Sequence, residues 1–322
     1  MAVWQACDGI RGLCRKDHNF ALSLHEIMAM GSPYTSLGVL IACPAANVLR
    51  IAALAALPDG ALDEETLATL AGEVDRGVLD DYHPLDAWPE LALGLMGEAP
   101  SRMLWALRRS GALARLLPEI DALFGMPQAD NLGEVVDIGT HVFRVADVLA
   151  AERATLRVRS AALFYNLGKS DSPPQHLPSH YRHVDRGLPR VAAVCQRFGL
   201  PEDFSDLALL ATAELERVHR AAEMRAGSIA ALLERVDAFG QPARFEELMQ
   251  LCAADYRAFP GASAVYPKRR LLETALAACA ASDGEMAVQP QADDEGLREA
   301  RTLAVARALR SMRWSAAESS GD

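Results

Sequence analysis

The chain has 322 residues, of which 51% are hydrophobic, 6% aromatic and 23% charged, and its net charge is −11. This length and balance exclude a peptide or a disordered polypeptide and allow two or three helical subdomains around a buried core. The net negative charge argues against a generic nucleic-acid binder. The low aromatic content and the many Ala and Leu residues favour helix over sheet, so we expect an all-α, multi-helix protein.

The location of the protein is predicted from its apolar segments and its cysteines. The most apolar stretch, residues 36–57, is interrupted by Pro44, Asn47 and Arg50. We therefore expect neither a membrane span nor a signal peptide. The six cysteines form no CxxC pair and are expected to be reduced thiols of a cytoplasmic protein.

Helical periodicity with start and stop signals runs through the chain after residue 45. Asp63 predicts the start of a helix that continues through Val74, and Ser101 predicts the start of another that ends near Ser110. Further helices are predicted at 137–152, 154–167, 187–198, 203–223, 228–238, 243–257, 267–281 and 295–314. We predict no strand after residue 45, a loop at 170–183 and disorder at 315–322.

Histidines and acids follow one another in an informative order in the second half of the chain. His141 lies near the start of one predicted helix, and Tyr165, Asn166 and Lys169 follow on the next. His180 and His183 come from the loop after it, and Asp237 lies on a later helix. This order resembles the HD phosphohydrolase domain, in which a His, a contiguous His-Asp pair and a later Asp converge on a divalent metal.

A longer resemblance links the chain to the bacterial CCA-adding enzymes, the class II tRNA nucleotidyltransferases. It is carried by the run SGALARLLPEIDALFGMP at 110–127, by DIGTH at 137–141, by LGK at 167–169 and by RVDA at 235–238. The resemblance implies five parts: a remnant of the nucleotidyltransferase head at 1–44, a neck and body at 45–130, a degenerate HD-like domain at 131–281, a linker at 282–294 and a basic helix at 295–314.

Nucleotide addition is not expected from this sequence. The family's head carries a strand with two nearby carboxylates that hold Mg²⁺, and the first 44 residues contain no such strand. Of the positions that the family uses to read base edges, Arg50 is kept, whereas Leu85 and Asp86 stand where the family has Glu and Arg. A pocket with these changes does not read the same base edges.

The resemblance also implies an altered metal site. Tyr165 and Asn166 stand at the family's His-Asp pair, and Leu215 stands where another family His aligns. Two interpretations stay open at this point: a degenerate site that holds Mg, Mn or Ni weakly, or no metal at all, with the same groups hydrogen-bonded to each other and fixing the loop. Lys169 and His183 are candidate catalytic residues, and the candidate metal ligands are His141, Asn166, His180, His183 and Asp237.

The last predicted helix is rich in arginine, at positions 298, 301, 307, 310 and 313. Arginines on one side of a helix bind phosphate in a salt-dependent way, so Arg307, Arg310 and Arg313 are candidate RNA-binding residues. The alternative is a solvated helix surface. Residues 61–136 carry 14 acidic and 5 basic side chains, which disfavours a second RNA contact there.

Three functional hypotheses follow from the sequence. The first is a tRNA-nucleotidyltransferase-like HD-domain protein without nucleotide-adding activity, which binds tRNA or another RNA weakly, or a protein partner or a second copy of itself. The second is a metal-dependent HD phosphohydrolase, acting as a phosphatase or phosphodiesterase through an altered metal site. The third is a gene product without a selected role.

Overall fold

The computed structural model describes residues 43–129, 135–286 and 294–319, so the predicted head remnant at 1–44 lies almost entirely outside the described residues. Fourteen α-helices and one pair of strands are found in these ranges, which confirms a predominantly helical fold. The first half contains α1 (Pro44–Leu54), α2 (Glu64–Asp75), α3 (Pro84–Leu95), α4 (Pro100–Arg109), α5 (Ala112–Leu116) and α6 (Pro118–Asp121). The second half contains α7 (Ile138–Ala151), α8 (Leu156–Phe164), α9 (His183–Arg197), α10 (Glu202–His219), α11 (Ala226–Arg235), α12 (Pro242–Arg257), α13 (Pro267–Met286) and α14 (Asp294–Ser319).

The first half of the chain packs around α1. Its Val48, Leu49 and Ala52 recur at helical spacing and are fully buried against α3 and α4. Asp63 caps α2 as predicted, because its carboxylate accepts a hydrogen bond of 2.8 Å from the backbone N–H of Thr66. The predicted cap of α4 at Ser101 is wrong by two residues, since the N-cap is Ala99. The helix begins at Pro100, whose fixed φ suits a first helical position.

The prediction of no strand after residue 45 is also wrong. Strands β1 (Pro127–Ala129) and β2 (Val135–Asp137) pair antiparallel between α6 and α7. Each strand has only three residues, which is too short for an alternating pattern to be detected in the sequence. Asp137 ends the hairpin and begins α7, because its side chain accepts a 2.8 Å hydrogen bond from the N–H of Thr140.

The second half of the chain is a bundle in which α7, α8, α10 and α12 pack on one another. The inner face of α10 shows helical spacing, with Leu207, Ala211, Leu215 and Val218 all buried. Helix α9 closes one side of this bundle through its contacts with α10. These four helices bring together side chains that are more than a hundred residues apart.

Several predicted boundaries in this half need correction. The loop predicted at 170–183 ends one residue earlier, because α9 begins at His183, and α9 contains Pro189 in its interior. Helix α10 ends at His219 rather than at 223, and a short 3-10 turn follows it. Helix α13 extends through Met286 into the predicted linker.

Helix α14 continues to Ser319 and so extends into the segment 315–322, for which we predict disorder. Positions 320–322, like 287–293 of the predicted linker, lie outside the described residues. None of the helices in the described ranges is long and apolar enough to cross a membrane.

A buried guanidinium joins the two halves of the fold. Arg159 of α8 is only 4% exposed. Its Nη1 donates to the carbonyl oxygen of Leu95, the last residue of α3, at 2.8 Å and to that of Gly97, two residues later, at 3.0 Å. Its Nε donates to the carbonyl oxygen of Ala154, just beyond the end of α7, at 2.9 Å. Carbonyls at helix C-termini lack partners within their helix and carry partial negative charge, so one cation satisfies both helix ends.

Replacing Arg159 with Met should therefore destabilise the protein by about 3 kcal/mol, since several buried carbonyls lose a charged donor at once. Urea unfolding measures this loss. Arg144→Met is the matched control, because Arg144 lies on the exposed side of α7. Equal stability of the two variants would contradict the structural role of Arg159.

Candidate functional site: a buried carboxylate cluster

The centre of the site is Asp255 on α12, which is 3% exposed. Three donors from three other helical segments converge on its carboxylate. His141 Nε2 lies 2.9 Å from Oδ1, His219 Nε2 lies 2.8 Å from Oδ2, and the Tyr165 hydroxyl donates to Oδ1. We call these four residues the Asp255 cluster.

The protonation of the two imidazoles follows from their partners. An ionised carboxylate only accepts hydrogen bonds, so both rings carry a proton on Nε2. The other ring nitrogen of His219, Nδ1, lies 2.9 Å from the hydroxyl of Tyr266. The Nδ1 of His141 is buried and has no partner among the described residues, while its ring packs at 4.2 Å on that of Phe259.

The cluster perturbs the acidity of its members in opposite directions. Burial alone would raise the pKa of Asp255, but the adjacent His141 and His219 hold that pKa well below its ordinary value of 3.8. Burial, reinforced by the negative charge of Asp255, raises the pKa of Tyr165 well above its ordinary value. Within the cluster, the carboxylate of Asp255 is therefore ionised, and the phenol of Tyr165 keeps its proton.

The predicted metal ligands do not all reach this cluster. His141 does, but the aspartate that meets it is Asp255 and not Asp237. Asp237 has a positive φ of 52°, and its carboxylate accepts from the N–H of Gly240 (3.2 Å) and from Gln241 Nε2 (3.0 Å), which closes the turn before α12. Asn166 is 1% exposed, and its amide nitrogen has no hydrogen-bond partner in the described part of the chain.

The remaining candidates form a second group, on the side of α10 that faces α9. Lys169 is 5% exposed, and its Nζ lies 3.0 Å from Glu216 Oε1 and donates to Gln128 Oε1 at 2.6 Å. His183 Nε2 lies 3.3 Å from the same oxygen of Glu216. Burial lowers the pKa of His183, and the positive charge of Lys169 lowers it further.

His180 ties the loop 170–183 to the hairpin. Its Nε2 donates to the backbone carbonyl of Pro127 in β1 at 2.8 Å, and its Nδ1 accepts from the Ser172 hydroxyl at 2.8 Å. Burial lowers the pKa of His180 and so favours this neutral ring. Both ring nitrogens are occupied, so His180 holds the backbone in place and has no free lone pair.

The comparisons with known proteins can now be set beside this geometry. No protein-family model matches the chain. A Multifunctional CCA protein of Burkholderia cenocepacia is 43% identical over 270 residues, and one of Herminiimonas arsenicoxydans is 39% identical over 274 residues. Each alignment covers 82% of this chain, and 65% and 66% of the respective relatives. The chain belongs to the multifunctional CCA protein family. It spans slightly less than two thirds of the length of these relatives. The resemblance to the CCA-adding enzymes found in its sequence is confirmed.

At the Asp255 cluster of this CCA-family chain, hydrogen bonds occupy the groups that a divalent ion would need. A metal would need the Nε2 lone pairs of His141 and His219, and both Nε2 atoms lie at hydrogen-bond distance from Asp255. The Tyr165 hydroxyl occupies Oδ1 as well. Within the described ranges, no group of three or more His, Cys, Asp or Glu side chains is placed to hold a metal ion.

Three residues of these two groups, Glu216, His219 and Asp255, were not predicted from the sequence, and neither was Tyr266, which contacts His219. Asp255 stands next to Ala253 and Ala254 in an apolar helical segment, and a buried acid in such a segment signals a partner elsewhere in the fold. His219 and Glu216 are three residues apart, which places both on one face of α10. Neither signal identifies the partner.

The arginines of α14 do not share one face of the helix. Arg301 is directed toward α11 and α13, where it pairs with Glu234 (2.7 Å) and Asp283 (2.6 Å). Arg307 and Arg310 are exposed. The side chain of Arg313 lies outside the described residues.

The low pKa of Asp255 makes its contribution to stability depend on pH. Because the folded pKa lies below the unfolded value, the ionised carboxylate stabilises the fold above pH 3.8, and this stabilisation is lost as the pH falls through the folded pKa. Asp255→Asn should cost about 3 kcal/mol at neutral pH, since it removes the charge that the buried donors face.

Urea unfolding of the wild type and of this variant from pH 7 downward tests the prediction. The difference between the two free energies of unfolding should shrink once the pH falls below 3.8. A difference that stays constant over this range would show that Asp255 is not the ionised centre of the cluster.

Proposed function

We propose that this CCA-family chain is a degenerate HD-domain protein that works by binding and neither hydrolyses phosphate esters through a metal nor adds nucleotides. The observation that carries the proposal is the occupancy of Asp255, whose carboxylate accepts from His141, Tyr165 and His219. Residues 45–130 form the neck and body in this proposal, and residues 131–281 form the HD-like domain. We assign the protein to the cytoplasm.

The chemistry of the cluster supports the loss of hydrolysis. Metal-dependent hydrolases activate a water by lowering its pKa on a bound ion. Tyr165 stands where the family has a histidine, and its phenol donates a proton where an imidazole would offer a lone pair. Asn166 likewise offers a neutral amide where the family has a carboxylate, so the site loses both a nitrogen ligand and a negative charge.

The neck supports the loss of base selection. Arg50 is the one base-reading position that matches the family, and its Nε and Nη2 both donate to Glu90 Oε1, at 2.9 and 2.7 Å. Both side chains are largely buried, at 20% and 11% exposed. This ion pair joins α1 to α3, so Arg50 has a structural partner within its own chain.

RNA is the partner that we propose, bound weakly through the exposed Arg307 and Arg310 of α14. Arg301 does not contribute, because Glu234 and Asp283 neutralise it. Two exposed arginine charges attract RNA phosphates without regard to nucleotide sequence, and this attraction weakens steeply as the salt concentration rises.

A metal-dependent phosphohydrolase remains the second candidate function. Lys169 and His183 favour it, because both lie close to Glu216 beside an open cavity that could admit a phosphate ester. This candidate predicts tight binding of Mn²⁺ or Ni²⁺ by the wild-type protein.

A metal titration separates the two candidates. In the variant Tyr165→His with Asn166→Asp, Mn²⁺ or Ni²⁺ at about 100 times its dissociation constant should raise the melting temperature by about 5 °C. The wild type should show no shift. Phosphohydrolysis should stay near background in both proteins, since Leu215 leaves a second gap in the ligand set.

The variant Tyr165→Phe controls for loss of the phenol, because phenylalanine removes the hydroxyl without adding a ligand. It should not respond to metal. A metal-dependent shift of the wild type, accompanied by hydrolysis of a phosphodiester, would replace our proposal with the phosphohydrolase.

RNA binding is tested by reversing two charges on α14. Arg307→Glu with Arg310→Glu should weaken the binding of a tRNA transcript at low salt by about tenfold or more, since phosphate neutralisation supplies most of the affinity. The matched control reverses Arg76 and Arg115, which are also exposed, at 69% and 56% of their side chains. Equal loss in both double variants would mean that only net charge matters and that α14 is not the RNA-binding surface.

A further inference from the structure

The segment that joins α12 to α13, residues 258–266, contacts the Asp255 cluster near both of its ends. The ring of Phe259, near the start of the segment, packs at 4.2 Å on the ring of His141. The hydroxyl of Tyr266, at the end of the segment, lies 2.9 Å from Nδ1 of His219, and the two rings meet edge to face. We call this segment the strap, because it runs from one imidazole of the cluster to the other.

The strap separates His141 from solvent. His141 is fully buried, whereas Phe259, which packs on its ring, is partly exposed, and the next two residues of the strap are exposed. The ring of Phe259 is therefore the layer between His141 and the solvent. Because Nδ1 of His141 has no partner among the described residues, movement of Phe259 makes an unoccupied ring nitrogen accessible.

The middle of the strap forms hydrogen bonds only within the strap, as far as the described residues show. The N–H of Ala262 donates to the carbonyl oxygen of Phe259 at 3.3 Å, and the N–H of Val265 donates to the hydroxyl of Ser263 at 3.2 Å. Val265 is 74% exposed. A segment with few buried contacts and few backbone hydrogen bonds opens at a lower free energy than the helices around it.

We propose that the strap is a lid, which closes the Asp255 cluster and opens as a local unit while the helices stay folded. In the closed form, Phe259 and Tyr266 hold the strap against the two imidazoles. In the open form, His141 becomes accessible to molecules in solution. This inference rests on the proposed function in taking the cluster to be free of metal, and it adds that the strap regulates access to the cluster.

Gly261 allows the strap to be loosened without a change at the cluster. Its φ of 73° lies in the left-handed region, and a Cβ atom at this position would meet no neighbouring atom within 4 Å in the described structure. Alanine here is strained by its backbone conformation alone, which should favour the open form by about tenfold. Gly111, between α4 and α5, is the matched control, because its φ is 79° and its Cβ would make only an ordinary contact of 3.7 Å.

Modification of histidines by diethyl pyrocarbonate, at neutral pH with a chelator present, measures the opening of the strap. The reagent acylates an accessible imidazole nitrogen, and peptide mass spectrometry gives a separate rate for each histidine. Gly261→Ala should raise the rate at His141 by about tenfold, whereas Gly111→Ala should leave it unchanged. His180 is an internal control, because it is also buried but is bonded to β1, so its rate should stay constant in both variants.

A urea series separates local opening from unfolding of the whole protein. Opening of the strap exposes little surface, so the rate at His141 should depend on urea much more weakly than global unfolding does. The same series on Gly261→Ala shows whether that variant is folded when it reacts. A rate at His141 that follows global unfolding in the wild type, or equal rates in Gly261→Ala and Gly111→Ala, would overturn the proposal.

A second variant tests the contact that closes the strap. Phe259→Ala removes the ring that covers His141 and should also raise the rate at His141 by about tenfold or more. Val265→Ala changes an exposed side chain of the same strap and should have no effect. An unchanged rate in Phe259→Ala would contradict the role of Phe259 as the cover. These experiments use neither metal nor RNA, so their failure is distinguishable from a failure of the proposed function.

Discussion

The second half of this protein is organised by the need to satisfy one buried negative charge. An ionised carboxylate inside a protein is unfavourable unless charged or polar donors surround it. Asp255 obtains three such donors, from α7, from the end of α8 and from the end of α10. Each donor fixes the position of its helix relative to α12, so the packing of the whole bundle depends on this carboxylate.

In our proposal, the residues that stand at the family's metal positions are consistent with each other when Asp255 is taken as the centre. A metal site requires groups that offer lone pairs to a cation. Tyr165 offers a proton instead. In the proposed alignment, Asn166 replaces a carboxylate and Leu215 replaces an imidazole. Hydrogen-bond donors therefore surround the carboxylate of Asp255. In a metal site, a carboxylate at this position would face a cation instead. The same helices can keep their arrangement while the chemistry of the site changes.

Sequence reasoning found the helical class, the cap at Asp63 and two members of the central cluster, His141 and Tyr165. These were accessible because helix caps and family motifs are local patterns. Asp255 could not be predicted from a local pattern, since 114 residues separate it from His141 and no residue near it in the sequence identifies its partner. The sequence predicts Asp237 in its place because RVDA matches a family motif, whereas in the structure that aspartate closes a turn. The strands of the hairpin were not predicted, because a strand of three residues is too short to show an alternating pattern.

The most direct test of the account is site-resolved observation of the two imidazoles that face Asp255. Proton–nitrogen correlation spectra of histidine-labelled protein report which ring nitrogen carries a proton, and Mn²⁺ broadens the signals of any ring that it contacts. Our account predicts that His141 and His219 are both protonated on Nε2 and that one equivalent of Mn²⁺ leaves their signals sharp. Selective broadening of these two rings would show that the site binds a metal and would contradict the account.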